Sequence, residues 1–196
     1  MPPRPEQAGL PGLDGGRPVP PHRLFFALWP DAGTRAAIAA ATDAVLQAHP
    51  AQGRRLRPDR YHLTLQFLGD IPAERRDAVL AAATAAAANV DSQAFDLVLD
   101  QAGGFANAHV WWLGPAGGPD GLRALWDALA VELPHHGVKP KASPGFSPHL
   151  TIVRDVAARL PATPIAPIRW RVDRFVLIDS QPPKPYRIVG EWRLRA

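Results

Sequence analysis

Apolar residues return along this 196-residue chain in two rhythms. Short runs rich in aromatic and β-branched residues alternate with longer segments in which Leu or Ala recurs at three- and four-residue spacing, the pattern of strands interleaved with amphipathic helices. Arg23 to Trp29, apolar at every position after Arg23, reads as a strand buried on both faces. Pro30 and Asp31 end it, and Asp31 is placed to cap a helix running to about His49, with Ile38, Ala41, Val45 and Leu46 on one stripe. A strand from Tyr61 to Gly69 follows, then a helix opened by Pro72 whose interior from Ala78 to Ala88 is nearly all Ala, the best helix former. Phe95 to Asp100 alternates as a strand and is expected to turn at Gly103-Gly104 into a second strand, Val110 to Leu113. Leu122, Leu125, Trp126, Leu129 and Leu133 give the cleanest helical period in the chain.

The last third begins with a loop, Gly137 to Pro148, and delivers a strand ending at Arg154. A Pro-rich connection leads to a long strand, Trp170 to Ile178, and a Pro182 to Pro185 loop leads to a final strand. This order predicts an α+β protein of two similar lobes, each an antiparallel sheet with outer helices, related by an approximate two-fold axis and separated by a cleft. Residues 1–21, with seven Pro and four Gly, read as a disordered leader, and residues 22–196 as a single bilobal domain.

Composition narrows the function classes. The absence of Cys removes disulfides, thiolate metal sites and a Cys nucleophile. No segment has the form of a signal peptide or a membrane span, so a cytoplasmic monomer without membrane contact is expected. The net charge of +4 comes from 19 Arg and 3 Lys against 18 acids, and a guanidinium suits bidentate grip on phosphate. The run Arg54-Arg55-Leu56-Arg57 and the Arg row of the last strand nevertheless read first as solvated surface.

The chemistry sits in a repeated triplet. Tyr61-His62-Leu63-Thr64-Leu65 recurs as Pro148-His149-Leu150-Thr151-Ile152, each inside an apolar run. Seven His and six Thr would produce a His-x-Thr triplet only about 0.2 times by chance, so two copies carry meaning. In a strand, positions i and i+2 share a face, and each copy therefore offers an imidazole beside a hydroxyl. No His-x-x-x-His pair or nucleophile elbow accompanies them, which disfavours a metal or a Ser triad and leaves direct acid–base catalysis without a cofactor. With an ordinary pKa near 6.5 one imidazole can take a proton while the other gives one. Thr64 and Thr151 can donate to phosphate oxygens, and Arg154 can supply a full positive charge. A strained diester that needs no metal, such as a ribose 2′,3′-cyclic phosphate, suits this equipment. Strict alternation from His149 turns Arg154 to the opposite face, so its role requires a bend or a strand end after Val153.

The paired motifs resemble those of the two-histidine (2H) phosphoesterases, and the surrounding pattern resembles the bacterial and archaeal RNA 2′,3′-cyclic phosphodiesterases, also called 2′-5′ RNA ligases. The similarity rests on Arg23 to Leu28, Phe67-Leu68-Gly69, Trp112-Leu113-Gly114, Pro148 to Arg154, Val176 to Ser180 and Tyr186, and covers roughly residues 22 to 195. The resemblance implies the bilobal 2H fold and hydrolysis of RNA cyclic phosphate ends to 2′-phosphomonoesters, with ATP-independent 2′-5′ joining in reverse. It implies His62 as proton donor, His149 as proton acceptor, and Thr64, Thr151 and Arg154 as phosphate-binding residues. An enzyme on another cyclic or 2′-5′ linked nucleotide, and a catalytically idle RNA or nucleotide binder on the same fold, are the competing readings.

Overall fold

The computed structural model describes residues 20–141 and 145–196. The Pro/Gly-rich leader read at residues 1–21 lies, except for its last two residues, outside the described residues. The elements are β1 (His22–Leu28), α1 (Ala32–Ala48), β2 (Arg54–Arg55), β3 (Leu63–Ile71), α2 (Arg76–Ala88), β4 (Phe95–Phe105), β5 (Val110–Gly114), α3 (Asp120–His135), β6 (Leu150–Arg154), β7 (Thr163–Val172), β8 (Arg174–Ser180) and β9 (Arg187–Arg193). Asp31 caps α1 as the sequence predicts, its carboxylate accepting from the Thr34 backbone N–H at 2.8 Å.

The strands run in the order β7-β4-β5-β6-β3-β1-β8-β9, with β2 added beside β6. The two halves, β3-β1-β8-β9 and β6-β5-β4-β7, meet at one residue pair, Leu63 against Leu150. Since β3 starts at Leu63 and β6 at Leu150, the antiparallel strands touch at their first residues and run away from each other. This junction is the approximate two-fold centre of the molecule. Leu24, Phe26 and Leu28 of β1 join the large core under the helices, whereas Phe25 and Ala27 join a smaller cluster with Val176 and Ile178. The strand is thus buried on both faces, as its unbroken apolar run predicts.

Two expectations give way to the structure. The long strand expected over Trp170 to Ile178 is two strands broken at Asp173, and β7 begins earlier, within the segment read as a Pro-rich connection. β7 tolerates Pro164 and Pro167 because it is an edge strand, where an N–H can be missing without loss of a ladder bond. The two strands pair at far ends of the sheet, β7 with β4 and β8 with β1, so Asp173 is where the chain changes halves. The sequence carries a trace of this: Ile168, Trp170 and Val172 are buried in alternation, and the phase slips before Phe175 and Leu177.

The second correction concerns Gly103-Gly104, which do not turn. They lie inside β4, paired with Trp112 and Trp111, and the reversal comes after Phe105 at Ala106–Ala108. Glycine is needed there because the Trp112 indole lies against the Gly103 Cα, where a Cβ would collide with it. Phe105 packs on Trp112 with ring centroids 5.4 Å apart and reaches His149 at 5.0 Å. Gly103→Ala should cost about 1–3 kcal/mol of stability by overpacking. Gly117→Ala, where an added Cβ meets nothing within 4 Å, should stay within about 0.5 kcal/mol. Urea unfolding of the two variants checks this, and equal effects would sink the packing argument.

Candidate active site

Each motif histidine stands immediately before its strand, at the junction of the two halves. Continuing the Leu63–Leu150 register by one residue each way sets His62 opposite Thr151 and Thr64 opposite His149. Each imidazole therefore faces the hydroxyl residue of the other motif, on one side of the sheet. Of the four residues that the sequence expects to converge, His62 and Thr64 line one cavity and Thr64 and His149 the adjoining one, while Thr151 lines neither.

Both imidazoles are held in the same way. His62 Nδ1 lies 2.8 Å from the carbonyl of Arg60, and His149 Nδ1 lies 2.8 Å from the carbonyl of Ser147. A carbonyl only accepts, so Nδ1 carries the proton in both rings and Nε2 is the nitrogen that titrates. A carbonyl two residues upstream thus sets each tautomer, a role that no side chain in the sequence announces.

Burial governs the protonation of both rings. It pushes His62 down to about 4, outweighing the Arg60 carbonyl bond, with Arg154, His149 and Arg60 adding repulsion to the charged form. His149 is lowered by the same desolvation, against its bond to Ser147, and by Arg154. Both rings remain half-buried rather than sealed, so solvent and ligand can reach them. Phe25, Tyr186 and Trp29 wall His62, with ring centroids at 5.1, 5.4 and 6.4 Å. These aromatic walls were not identified as site residues from the sequence, because an aromatic in an apolar run looks the same whether it backs an imidazole or fills a core.

Arg154 reaches the site through a bulge. On β5, Trp111 and Trp112 are consecutive, yet they pair with Val153 and Thr151, which leaves Ile152 as an extra residue in β6. Ile152 and Val153 are both buried in the large core, and Arg154 lines the same cavity as His62 and Thr64. This is the bend that alternation demanded. The first motif repeats the device: Phe26 and Ala27 pair with Gln66 and Thr64, leaving Leu65 extra in β3. Phe67 then lines the site beside Thr64, three residues after it, as Arg154 stands three residues after Thr151. Thr151 itself is 8% exposed and lies across from Trp112 on its other side.

Two cavities meet at Thr64 and Phe67. The larger, about 750 Å³, is lined by His62 and by Arg23, Arg54, Arg55, Arg57, Arg60 and Arg154. Among the described residues, Arg23, Arg54, Arg55 and Arg57 are ion-paired to Asp70, Asp155, Asp43 and Asp59, while Arg60 and Arg154 face no carboxylate at salt-bridge distance. Arg60 lies instead over the Tyr186 ring, 4.4 Å from its centroid, and donates to the Lys184 carbonyl. The arginine run read as solvated surface is therefore also the wall of a cleft, reached through the pairing of β2 with β6. The smaller cavity, about 400 Å³, is lined by His149, Trp126, Phe146 and Lys141.

A family model for the 2′-5′ RNA ligase superfamily matches residues 30–183. The chain belongs to this family. It is 34% identical over 146 residues to the RNA 2′,3′-cyclic phosphodiesterase of Escherichia coli K12, covering 74% of this chain and 78% of that protein. The crystal structure of E. coli LigT complexed with NADP+ superposes with a TM-score of 0.71 at 30% identity, over 90% of this chain and 99% of that one. TT0787 of Thermus thermophilus superposes with a TM-score of 0.67 at 27% identity, over 88% and 98%. The large antiparallel sheet with few helices is thus the 2H phosphoesterase fold that the sequence resemblance implies.

The lowered His62 pKa sets a pH dependence of stability. Between about 4 and 6.5 the unfolded chain binds a proton at this residue that the folded chain refuses. The stability contributed by a neutral His62 is therefore complete above pH 6.5 and lost as the pH falls toward 4. His62→Gln should lose less stability than wild type between about pH 7 and pH 5 in urea unfolding; parallel pH profiles would contradict the buried, neutral ring.

Proposed function

We propose that this protein hydrolyses RNA 2′,3′-cyclic phosphate ends to 2′-phosphomonoesters by two-histidine acid–base catalysis that needs no metal or cofactor. The observation that carries the reading is the junction itself: two imidazoles, each pinned through Nδ1 by a backbone carbonyl, each across from the other motif's Thr. The cyclic phosphodiesterase relative and family membership support the substrate class.

Charge distribution supports the roles that the resemblance implies for the two histidines. An RNA 3′ end carries phosphates upstream of the reacting one, and these favour the arginine-lined cavity on the His62 side. Both O2′ and O3′ belong to that terminal ribose, so the departing O3′ lies toward His62 and the attacking water toward His149. His62 Nε2 then protonates O3′ while His149 Nε2 takes a proton from water, in line across phosphorus. Thr64 and Thr151 donate to the non-bridging oxygens as charge builds, and Arg154 balances it. Repulsion between the rings disfavours the state with a proton on both, so the pair holds at most one proton for an acid and a base to share. The cyclic phosphate anion offsets Arg154 and Arg60 and raises the proton affinity of His62 once bound.

Turnover of an oligoribonucleotide ending in 2′,3′-cyclic phosphate, measured in excess EDTA, should give a 2′-phosphate. His62→Ala and His149→Ala should each lose at least about a hundredfold in kcat/KM, the scale of one positioned acid or base. Binding of the oligonucleotide without turnover by wild type would replace the enzyme with a binding protein on the same fold.

A further inference from the structure

The arginines that line the larger cavity are not equivalent. Asp70, Asp155, Asp43 and Asp59 lie against Arg23, Arg54, Arg55 and Arg57, so each of these cations brings its own counter-charge. A phosphate approaching such a pair meets the carboxylate as well as the guanidinium, and the net attraction is small. Among the described residues that line the cavity, the arginines without a carboxylate at salt-bridge distance are Arg154, which serves the reacting phosphate in the proposed reaction, and Arg60.

Arg60 is held ready for an anion. Its guanidinium lies 4.4 Å from the Tyr186 ring centroid and donates through Nη2 to the Lys184 carbonyl at 3.0 Å. A ring and a carbonyl fix the long side chain without neutralising it, and the other N–H groups of the planar fork suit a phosphate gripped through two oxygens. The side chain is ordered before a ligand arrives, which lowers the entropic cost of binding. Its place relative to the acid is set twice. Tyr186 stands perpendicular to the His62 ring with centroids 5.4 Å apart, so one ring separates the guanidinium from His62, and the Arg60 carbonyl holds His62 Nδ1 at 2.8 Å. In the proposed reaction His62 faces O3′ of the terminal ribose. The next anionic group of an RNA end is the phosphate on O5′ of that ribose, one sugar away from O3′.

We infer that Arg60 is the binding subsite for the phosphate on O5′ of the terminal nucleotide, the first one upstream of the cyclic phosphate. This rests on the phosphodiesterase reading and on His62 as the group that faces O3′. The substrate class narrows accordingly, to ends in which a charged internucleotide linkage precedes the cyclic phosphate. A phosphate seated on Arg60 also offsets a charge that opposes a proton on His62, so binding of the linkage and protonation of the acid support each other.

The test compares two substrates in excess EDTA: an adenosine dinucleotide ending in 2′,3′-cyclic phosphate, and the same dinucleotide with its internal linkage replaced by an uncharged methylphosphonate. Wild type should prefer the charged linkage by about tenfold in kcat/KM, the scale of one contacting charge pair. Arg60→Gln, which removes the charge and keeps an N–H for the Lys184 carbonyl, should abolish the preference. Arg60→Ala serves in its place if that variant does not fold, and both keep the backbone carbonyl that pins His62. Arg57→Ala and Lys184→Ala, which remove neighbouring cations, should retain the preference. Equal kcat/KM for the two substrates in wild type overturns the subsite while hydrolysis stands. A preference that survives Arg60→Gln overturns it by giving the phosphate to another cation, as does a preference lost in Arg57→Ala or Lys184→Ala instead. No turnover of either substrate overturns the phosphodiesterase reading and this inference with it.

Discussion

One residue pair, Leu63 against Leu150, joins strands β3 and β6 and with them the two halves of the sheet, and each motif histidine stands immediately before it. Both side chains are fully buried in the same core, so the pairing is fixed by burial as well as by backbone hydrogen bonds. A slip of one residue in either strand would expose a leucine and turn a histidine and its threonine away from the site. Because the strands start at this pair and diverge, the sheet has no further rungs between β3 and β6. Along β6 their place is taken by β2, which pairs Arg54 and Arg55 with Arg154 and Val153, and the two cavities share Thr64 and Phe67 of β3.

The bulges convert a symmetric backbone into an asymmetric site. After Thr151 the extra residue lets Ile152 and Val153 both enter the core, and after Thr64 it buries Leu65 in the core and Gln66 against α3, before Arg154 and Phe67 return to the site. A ring and a cation thus stand at equivalent positions in the two halves. The proposed acid and base need such a difference, because the two imidazoles are held by equivalent contacts.

Those contacts also explain the protonation of the free protein. A carboxylate behind each ring would stabilise imidazolium by a full charge; a carbonyl offers only a dipole. Desolvation therefore wins at both histidines, and the nearby guanidinium of Arg154 reinforces it. The cleft presents neutral imidazoles and free positive charge, which together favour an anionic ligand.

The duplicated motif and most of the element types were legible in the sequence alone. Duplicated His-Leu-Thr with strand period places an imidazole and a hydroxyl on one face twice, and the Leu period of α3 and the Asp31 cap need only local geometry. The family pattern from Arg23 to Tyr186 fixed the fold class. Tertiary structure decided what depends on contacts between distant residues. Gly103-Gly104 looks like a turn until Trp112 is placed across it, and Trp170 to Ile178 looks like one strand until its ends are seen to pair with β4 and β1. The position of Arg154 follows from a bulge set by pairing with β5, and the carbonyls of Arg60 and Ser147 leave no mark in a side-chain alphabet. Local sequence encodes period and propensity, whereas register, bulges and desolvation arise only when another part of the chain supplies the partner.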